Sequence, residues 1–152
     1  RYLPVPLELR WSDQDLLGHV NNARVVTLAE EARVRFQMHL DGPEAAVESP
    51  AVGGRVVARQ VIDYHRPAHY GMPLEVRVGV VRVGTSSFTL RHQGVQEDSP
   101  VFTVDAVMVV VTPDGSSRPL TETERAGLEG WRWPGSVEDT PAATGAAAGV
   151  GS

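Results

Sequence analysis

From Leu3 to Trp11 apolar and polar residues alternate loosely. Leu7 and Leu9 fall on one face and Glu8 and Arg10 on the other, which predicts a first strand. Ser12 to Asn22 (SDQDLLGHVNN) interrupts this with one glycine and several capping residues, and so predicts a polar turn. Beyond it Val25, Ala29, Ala32 and Phe36 recur at spacings of four, three and four, tracing one stripe of a helix over Ala23 to Leu40 that Leu28 and Leu40 widen. Asn21 or Asn22 can cap its free N–H groups, and Gly42-Pro43 ends it.

A loop with Pro50 and Gly53-Gly54 then leads to four strand patterns. Val56 to Arg66 puts Val56, Ala58, Ile62 and Tyr64 on one face. Leu74 to Val83 does the same with Leu74, Val76, Val78 and Val80. Ser86 to His92 is short and presents Phe88 and Leu90. Val101 to Thr112 is apolar at nearly every position except Asp105, which predicts a central strand buried on both faces. The connections at Pro67 to Pro73, Gly84-Thr85 and Gln96 to Pro100 have lengths that suit antiparallel neighbours. After the Pro113-Asp114-Gly115 turn, Thr121 and Glu124 have the spacing of a capping box and open a short helix to about Glu129. Together these elements predict an α+β layer in which a sheet of about five strands wraps one long helix. Residues 1–133 form that domain, and Pro134 to Ser152, rich in Gly, Ala, Pro and Ser, reads as a flexible tail.

Composition narrows the function. The chain has 152 residues, enough for one ordinary core, and no cysteine, which removes thiolate nucleophiles, cysteine zinc sites and disulfides and suits a reducing cytoplasm. The first residues carry charge and proline where a secretion signal needs an unbroken apolar run, and no run is long enough to span a membrane. All 14 Lys+Arg residues are arginine, so lysine chemistry is absent, and the net charge of -5 disfavours a nucleic-acid partner.

The densest chemistry lies in the polar turn, where Asp13, Asp15, His19, Asn21 and Asn22 directly precede the helix. A helix start offers N–H donors and the positive end of a dipole to a developing oxyanion, and a carboxylate beside them is a candidate base or nucleophile. The same residues also serve as ordinary turn and cap groups. His65, His69 and His92 lack the frame of a metal site, so no metal is expected. Gly84 to Ser87 lacks the frame of a phosphate-binding loop.

The string WSDQDLLGHVNN followed by Glu30-Glu31-Ala32-Arg33 resembles the hotdog-fold thioesterases of the 4-hydroxybenzoyl-CoA thioesterase type. Ile62 to Ala68 (IDYHRPA) and Val80 to Phe88 (VVRVGTSSF) resemble that family's strands, and the order of elements agrees from about Leu3 to Glu129. The resemblance implies an acyl-CoA thioesterase that needs no cofactor, since water is the second substrate. It places the catalytic aspartate on Asp15 and a helix carboxylate on Glu31. His19 matches a histidine of plant acyl-carrier-protein thioesterases, whose asparagine falls on Leu17 here, and the tyrosine usual in the helix's first turn is Val25. Gly18, Val20, Asn21, Asn22, Ser86 and Ser87 are expected to line the substrate, as is Arg66, which with Arg82 is a candidate to receive the phosphates of coenzyme A, although both also read as ordinary surface arginines of strands. The family also implies a homodimer or a tetramer built from dimers. A non-catalytic acyl-CoA sensor and a thioester hydratase or dehydratase are the rival readings on the same fold.

Overall fold

In the computed structural model of the chain, residues 1–46 and 53–136 are described. The expected turn at Pro50 and the expected tail from residue 137 onward lie outside the described residues. Strand β1 (Leu3–Leu7) leads through a turn of 3-10 helix at Trp11–Asp13 to the long helix α1 (Asn22–Asp41). Strands β2 (Gly54–Tyr64), β3 (Leu74–Val83), β4 (Ser87–Gln96) and β5 (Ser99–Val111) follow, and then helix α2 (Glu122–Glu129). All strands join one antiparallel sheet in the order β1-β3-β4-β5-β2.

Helix α1 forms where the stripe requires it. Val25, Leu28, Ala29, Ala32 and Phe36 are buried, and Leu40 packs against the same core. Ala29 and Ala32 have no exposed surface, so two methyl side chains set how closely the helix approaches the sheet. Opposite them lie Val76, Val78, Val80, Leu90, Val104, Ala106 and Met108. Asn21 is the cap, with its side chain accepting from the Ala23 N–H at 2.9 Å, and Gly42 ends the helix at a φ of 94°. Thr121 and Glu124 close the reciprocal capping box of α2. Arg118 reaches the same carboxylate at 2.8 Å and holds Glu124 well below its ordinary range, at about 2.

Four expectations need correction. Strand β1 stops at Leu7, because the chain turns into the 3-10 segment, although Leu9 remains buried. Strand β4 runs on to Gln96, since the polar residues Gln93 and Gln96 conceal its end from a hydrophobicity pattern. Strand β5 is not buried on both faces: Val104, Ala106, Met108 and Val110 are buried toward α1, while Val107, Val109 and Val111 are only half-buried on the outer face, which carries no second layer among the described residues. Finally, β2 pairs with β5 rather than β3, and a register shift between Val57 and Arg59 turns the strand so that Val56 and Ile62 face opposite sides.

The edge of β3 beyond β1 is closed by the end of the domain. Val80 N–H donates to Trp131 C=O, and Trp133 N–H to Val80 C=O, both at 2.8 Å. The amino terminus of Arg1 meets the Arg132 carbonyl, and Trp131 packs edge-on against Phe36. The edge of β2 has no such cover among the described residues.

One buried polar side chain sits in the core. His92 has no exposed surface, its Nδ1 is 3.0 Å from the Val104 carbonyl, and its Nε2 has no hydrogen-bond partner among the described residues. The carbonyl can only accept, so Nδ1 carries a proton. Burial first, with the Arg33 charge adding to it, lowers the His92 pKa to about 4, against the bond to Val104. In the unfolded chain the same ring titrates near its ordinary value of about 6.5. The unfolded state therefore takes up the extra proton as pH falls from about 6.5 to about 4, and folding stability drops over that window by about 3 kcal/mol. Urea unfolding of His92→Gln, compared with the unmodified chain at several pH values, should show a flatter fall across this window. Parallel curves would contradict the account.

Candidate active site

Because β2 and β3 are not neighbours, residues 65–73 must carry the chain from one side of the sheet to the other at the end where α1 begins. They meet the pre-helix turn there. Val20 N–H donates to Ala68 C=O at 2.9 Å, and the Tyr64 hydroxyl donates to the Asn22 carbonyl at 3.2 Å. Between the two segments lies a cavity of about 470 Å³. Its polar lining includes Asp15, His19, Asn21, Asn22, His65 and Arg66, and Val25, Ala68, Val101 and Phe102 supply apolar surface.

The pre-helix turn is a miniature hairpin. Gln14 and Val20 form an antiparallel bridge, and Asp15 N–H donates to His19 C=O at 3.0 Å. Inside it Asp15 Oδ1 accepts from Leu17 N–H at 2.9 Å, while Asp15 C=O accepts from Gly18 N–H at 3.1 Å. This is an Asx turn, and it needs Gly18 at a φ of 77°, where a side chain would strain the backbone. The two aspartates of the turn therefore do different work. Asp13 is buried: its carboxylate accepts from Arg10 N–H at 2.8 Å and its carbonyl from Asn21 N–H at 2.8 Å, tying the start of the turn to the helix cap. Asp15 is exposed and lines the cavity, its carboxylate held by the Asx turn.

The expected residues divide by position. Asp15, His19, Val20, Asn21, Asn22 and Arg66 all line the cavity, and Gly18 shapes the turn beside it. Arg66 is anchored as well, with Nη2 donating to the carbonyls of Gln96 at 2.7 Å and Ser99 at 3.3 Å. Glu31 does not reach the cavity. It lies on the exposed face of α1 and pairs with Arg35 Nε at 2.9 Å, while Arg35 Nη1 also donates to Pro6 C=O. Ser86 and Ser87 lie at the other end of β4, roughly 30 Å of strand away. Residues the sequence pattern did not bring forward for this site are Tyr64 and Phe102; His65, weighed there only as a metal ligand, also lines the cavity, with Nε2 2.8 Å from Thr103 Oγ1. The tyrosine was visible in IDYHRPA, but only the strand order turns it toward the helix start. Among the described residues no group of three or more histidine, aspartate or glutamate side chains is disposed to hold a metal ion.

The pattern of a thioesterase-like superfamily matches residues 9–128, which span the turn, the helix and the whole sheet after β1. The chain belongs to the thioesterase-like superfamily. It is 32% identical over 124 residues to the uncharacterized protein YsmA of Bacillus subtilis (strain 168), covering 80% of this chain and 82% of that protein. Among solved structures it is similar to a thioesterase complexed with coenzyme A and Zn from Thermus thermophilus. That match has 31% identity and a TM-score of 0.72, over 84% of this chain and 91% of the other. It is also similar to a predicted thioesterase from Bacillus stearothermophilus, at 25% identity and a TM-score of 0.79, over 88% and 98% of the two chains. The antiparallel sheet, the long helix and the short C-terminal helix of this superfamily member are the hotdog arrangement.

The back of the cavity depends on one glycine. Gly94 lies across from Phe102 in the β4–β5 ladder, and a Cβ at Gly94 would overlap the Phe102 ring. The ring is 1% exposed and packed within the hydrophobic core, so a clash with it is not relieved by a small shift. Gly94→Ala should cost about 1 to 3 kcal/mol, the scale of overpacking, and a urea melt reads this directly. Unchanged stability would mean that the ring moves freely.

Proposed function

We propose that the chain hydrolyses acyl-CoA thioesters, as a member of the 4-hydroxybenzoyl-CoA thioesterase type. The observation that carries this reading is Asp15, whose carboxylate is held by its Asx turn and which lines the cavity beside the start of α1. A thioester carbonyl in this cavity would lean its oxygen toward backbone N–H groups at the helix start, where the dipole favours negative charge. The Asn21 side chain occupies the Ala23 N–H, which leaves the Asn22 N–H as the donor this reading uses.

Asp15 then acts in one of two ways. As a base it takes a proton from water, the hydroxyl adds to the carbonyl carbon, and the C–S bond breaks with coenzyme A leaving as the thiol. As a nucleophile its oxygen displaces the thiolate to form a mixed anhydride that water opens. His19 polarises or orients the substrate from the other end of the same turn. Arg66 offers its guanidinium to the phosphates of coenzyme A, while Ser86 and Ser87 would have to come from a second copy of the chain. Glu31 belongs to its ion pair with Arg35 and contributes little to turnover. No cofactor enters this chemistry. We place the activity in the cytoplasm, where a chain without cysteine loses nothing to reduction.

The second copy follows from β2. This edge strand leaves Val56, Val57, Val61 and Tyr64 between 38% and 48% exposed, and unpaired edges of that kind are covered or blunted in stable proteins. Pairing with a second chain covers it. Sedimentation at micromolar concentration should give at least a dimer, and a stable species of 16.4 kDa would contradict this.

Incubation with a panel of acyl-CoAs, following free thiol, tests the reaction itself. Thiol release supports it, whereas a changed acyl chain without release indicates a hydratase, and binding with neither indicates a sensor. Asp15→Asn tests the mechanism, because asparagine keeps the oxygen that accepts from Leu17 N–H and removes only the charge and basicity. Its kcat should fall about a hundredfold or more with the melting temperature little changed, while Glu31→Gln stays near the unmodified rate. Near-normal turnover in Asp15→Asn would sink the mechanism.

A further inference from the structure

At the end of the β4–β5 hairpin three local departures from regular structure coincide beside the cavity. The register shifts between Gly94 and Val95, where Val101 of β5 is the extra residue, and Gln96 keeps the inward parity of Leu90, His92 and Gly94, so its side chain is buried. The hairpin then reverses through Glu97 and Asp98, at φ 48° and 59°, a left-handed pair that residues with side chains seldom adopt. Gln96 itself is only 2% exposed.

Its amide is engaged by one loop. Oε1 accepts from His69 N–H at 2.9 Å, and Nε2 donates to the carbonyls of His69 at 3.0 Å and Met72 at 3.2 Å. Both donors of the amide are thus used, and the assignment of its oxygen and nitrogen is dictated by the partners. The main-chain carbonyl of the same residue accepts from Arg66 Nη2. His69, held in this way, sets its ring edge-on against His19, with centroids 5.3 Å apart and an interplanar angle of 83°.

We propose that Gln96 is a positioning residue of the site: by clamping the His69 backbone it presses the His69 ring against His19 and fixes that ring in the cavity, while its carbonyl steadies Arg66. The proposal rests on the reading of His19 as part of the site. It accounts for an amide buried at the end of the hairpin and spent wholly on the loop that carries His69.

The test reads the His19 ring itself. His69 is exposed, and His69→Ala leaves the backbone clamp intact, so the fold is not at risk. In proton–carbon spectra of the histidine rings it should move the His19 signals, because the ring current of its edge-on neighbour is lost. Gln96→Leu should move them in the same direction, and the double variant should add nothing further, as expected of residues acting through one contact. Gln96→Glu cannot donate to the two carbonyls while ionised, and burial among them favours its protonated form. Relative to the unmodified protein at each pH, its His19 signals should therefore return as pH falls. On a thioester that the unmodified protein hydrolyses, each single variant and the double should lose kcat by roughly tenfold with KM little changed. Unmoved His19 signals in both Gln96 variants, or losses in the Gln96→Leu and His69→Ala pair that add, would overturn the proposal and leave Gln96 as a loop staple. If the unmodified protein hydrolyses no acyl-CoA, the proposed function fails, and the ring spectra still decide the role of Gln96.

Discussion

The structure turns on a constraint of strand order. Pairing β2 with β5 instead of β3 obliges residues 65–73 to cross the end of the sheet, and that end is where α1 starts. The crossing chain cannot bury its backbone polar groups without partners, and the pre-helix turn supplies one in the Val20 N–H bonded to Ala68 C=O. The cavity is the space those two segments leave between them. Its polar groups come from both sides, Asp15 and His19 from the turn and His65 and Arg66 from the crossing loop. A sheet with β2 beside β3 would need only a tight hairpin there and would form no such wall.

Packing makes the arrangement durable. Ala29 and Ala32 let α1 lie close to the sheet, Phe36 and Trp131 fill the far end of the helix, and the helix start is fixed in depth as a result. The turn is then held by its own bonds, through the buried Asp13 at one end and the Asn21 cap at the other. Asp15 is exposed between two rigid anchors, which suits a group that has to meet a substrate without rearranging.

Much of this was legible in the sequence because it is periodic. The helix stripe, the alternation of Leu74 to Val80, the capping box at Thr121 and the turn string before α1 are local patterns, and the structure realises each of them. What was not legible depends on contacts distant in sequence. Nothing local says that β2 pairs with β5, so neither the approach of Tyr64 to Asn22 nor the crossing loop could be read. Asp13 and Asp15 are alike as letters and differ only because one is buried under the turn. The half-exposure of Val107 and Val109 likewise follows from the open outer face of the sheet rather than from their own hydrophobicity. Ser86 and Ser87, expected to line the substrate, stand at the opposite end of a strand whose direction the pattern did not give.

The central claim is that the space between the pre-helix turn and the crossing loop receives the thioester. The most direct measurement is a titration of the isotope-labelled protein with a non-hydrolysable ketone analogue of an acyl-CoA, followed through its backbone amide signals. The account predicts that the largest changes fall on Asp15 to Val25, on Tyr64 to Ala68 and on Val101 and Phe102. Saturable binding whose changes fall instead on the apolar groove formed by Leu7, Leu9, Tyr70 and Met72, with the Asp15 turn unmoved, would contradict it.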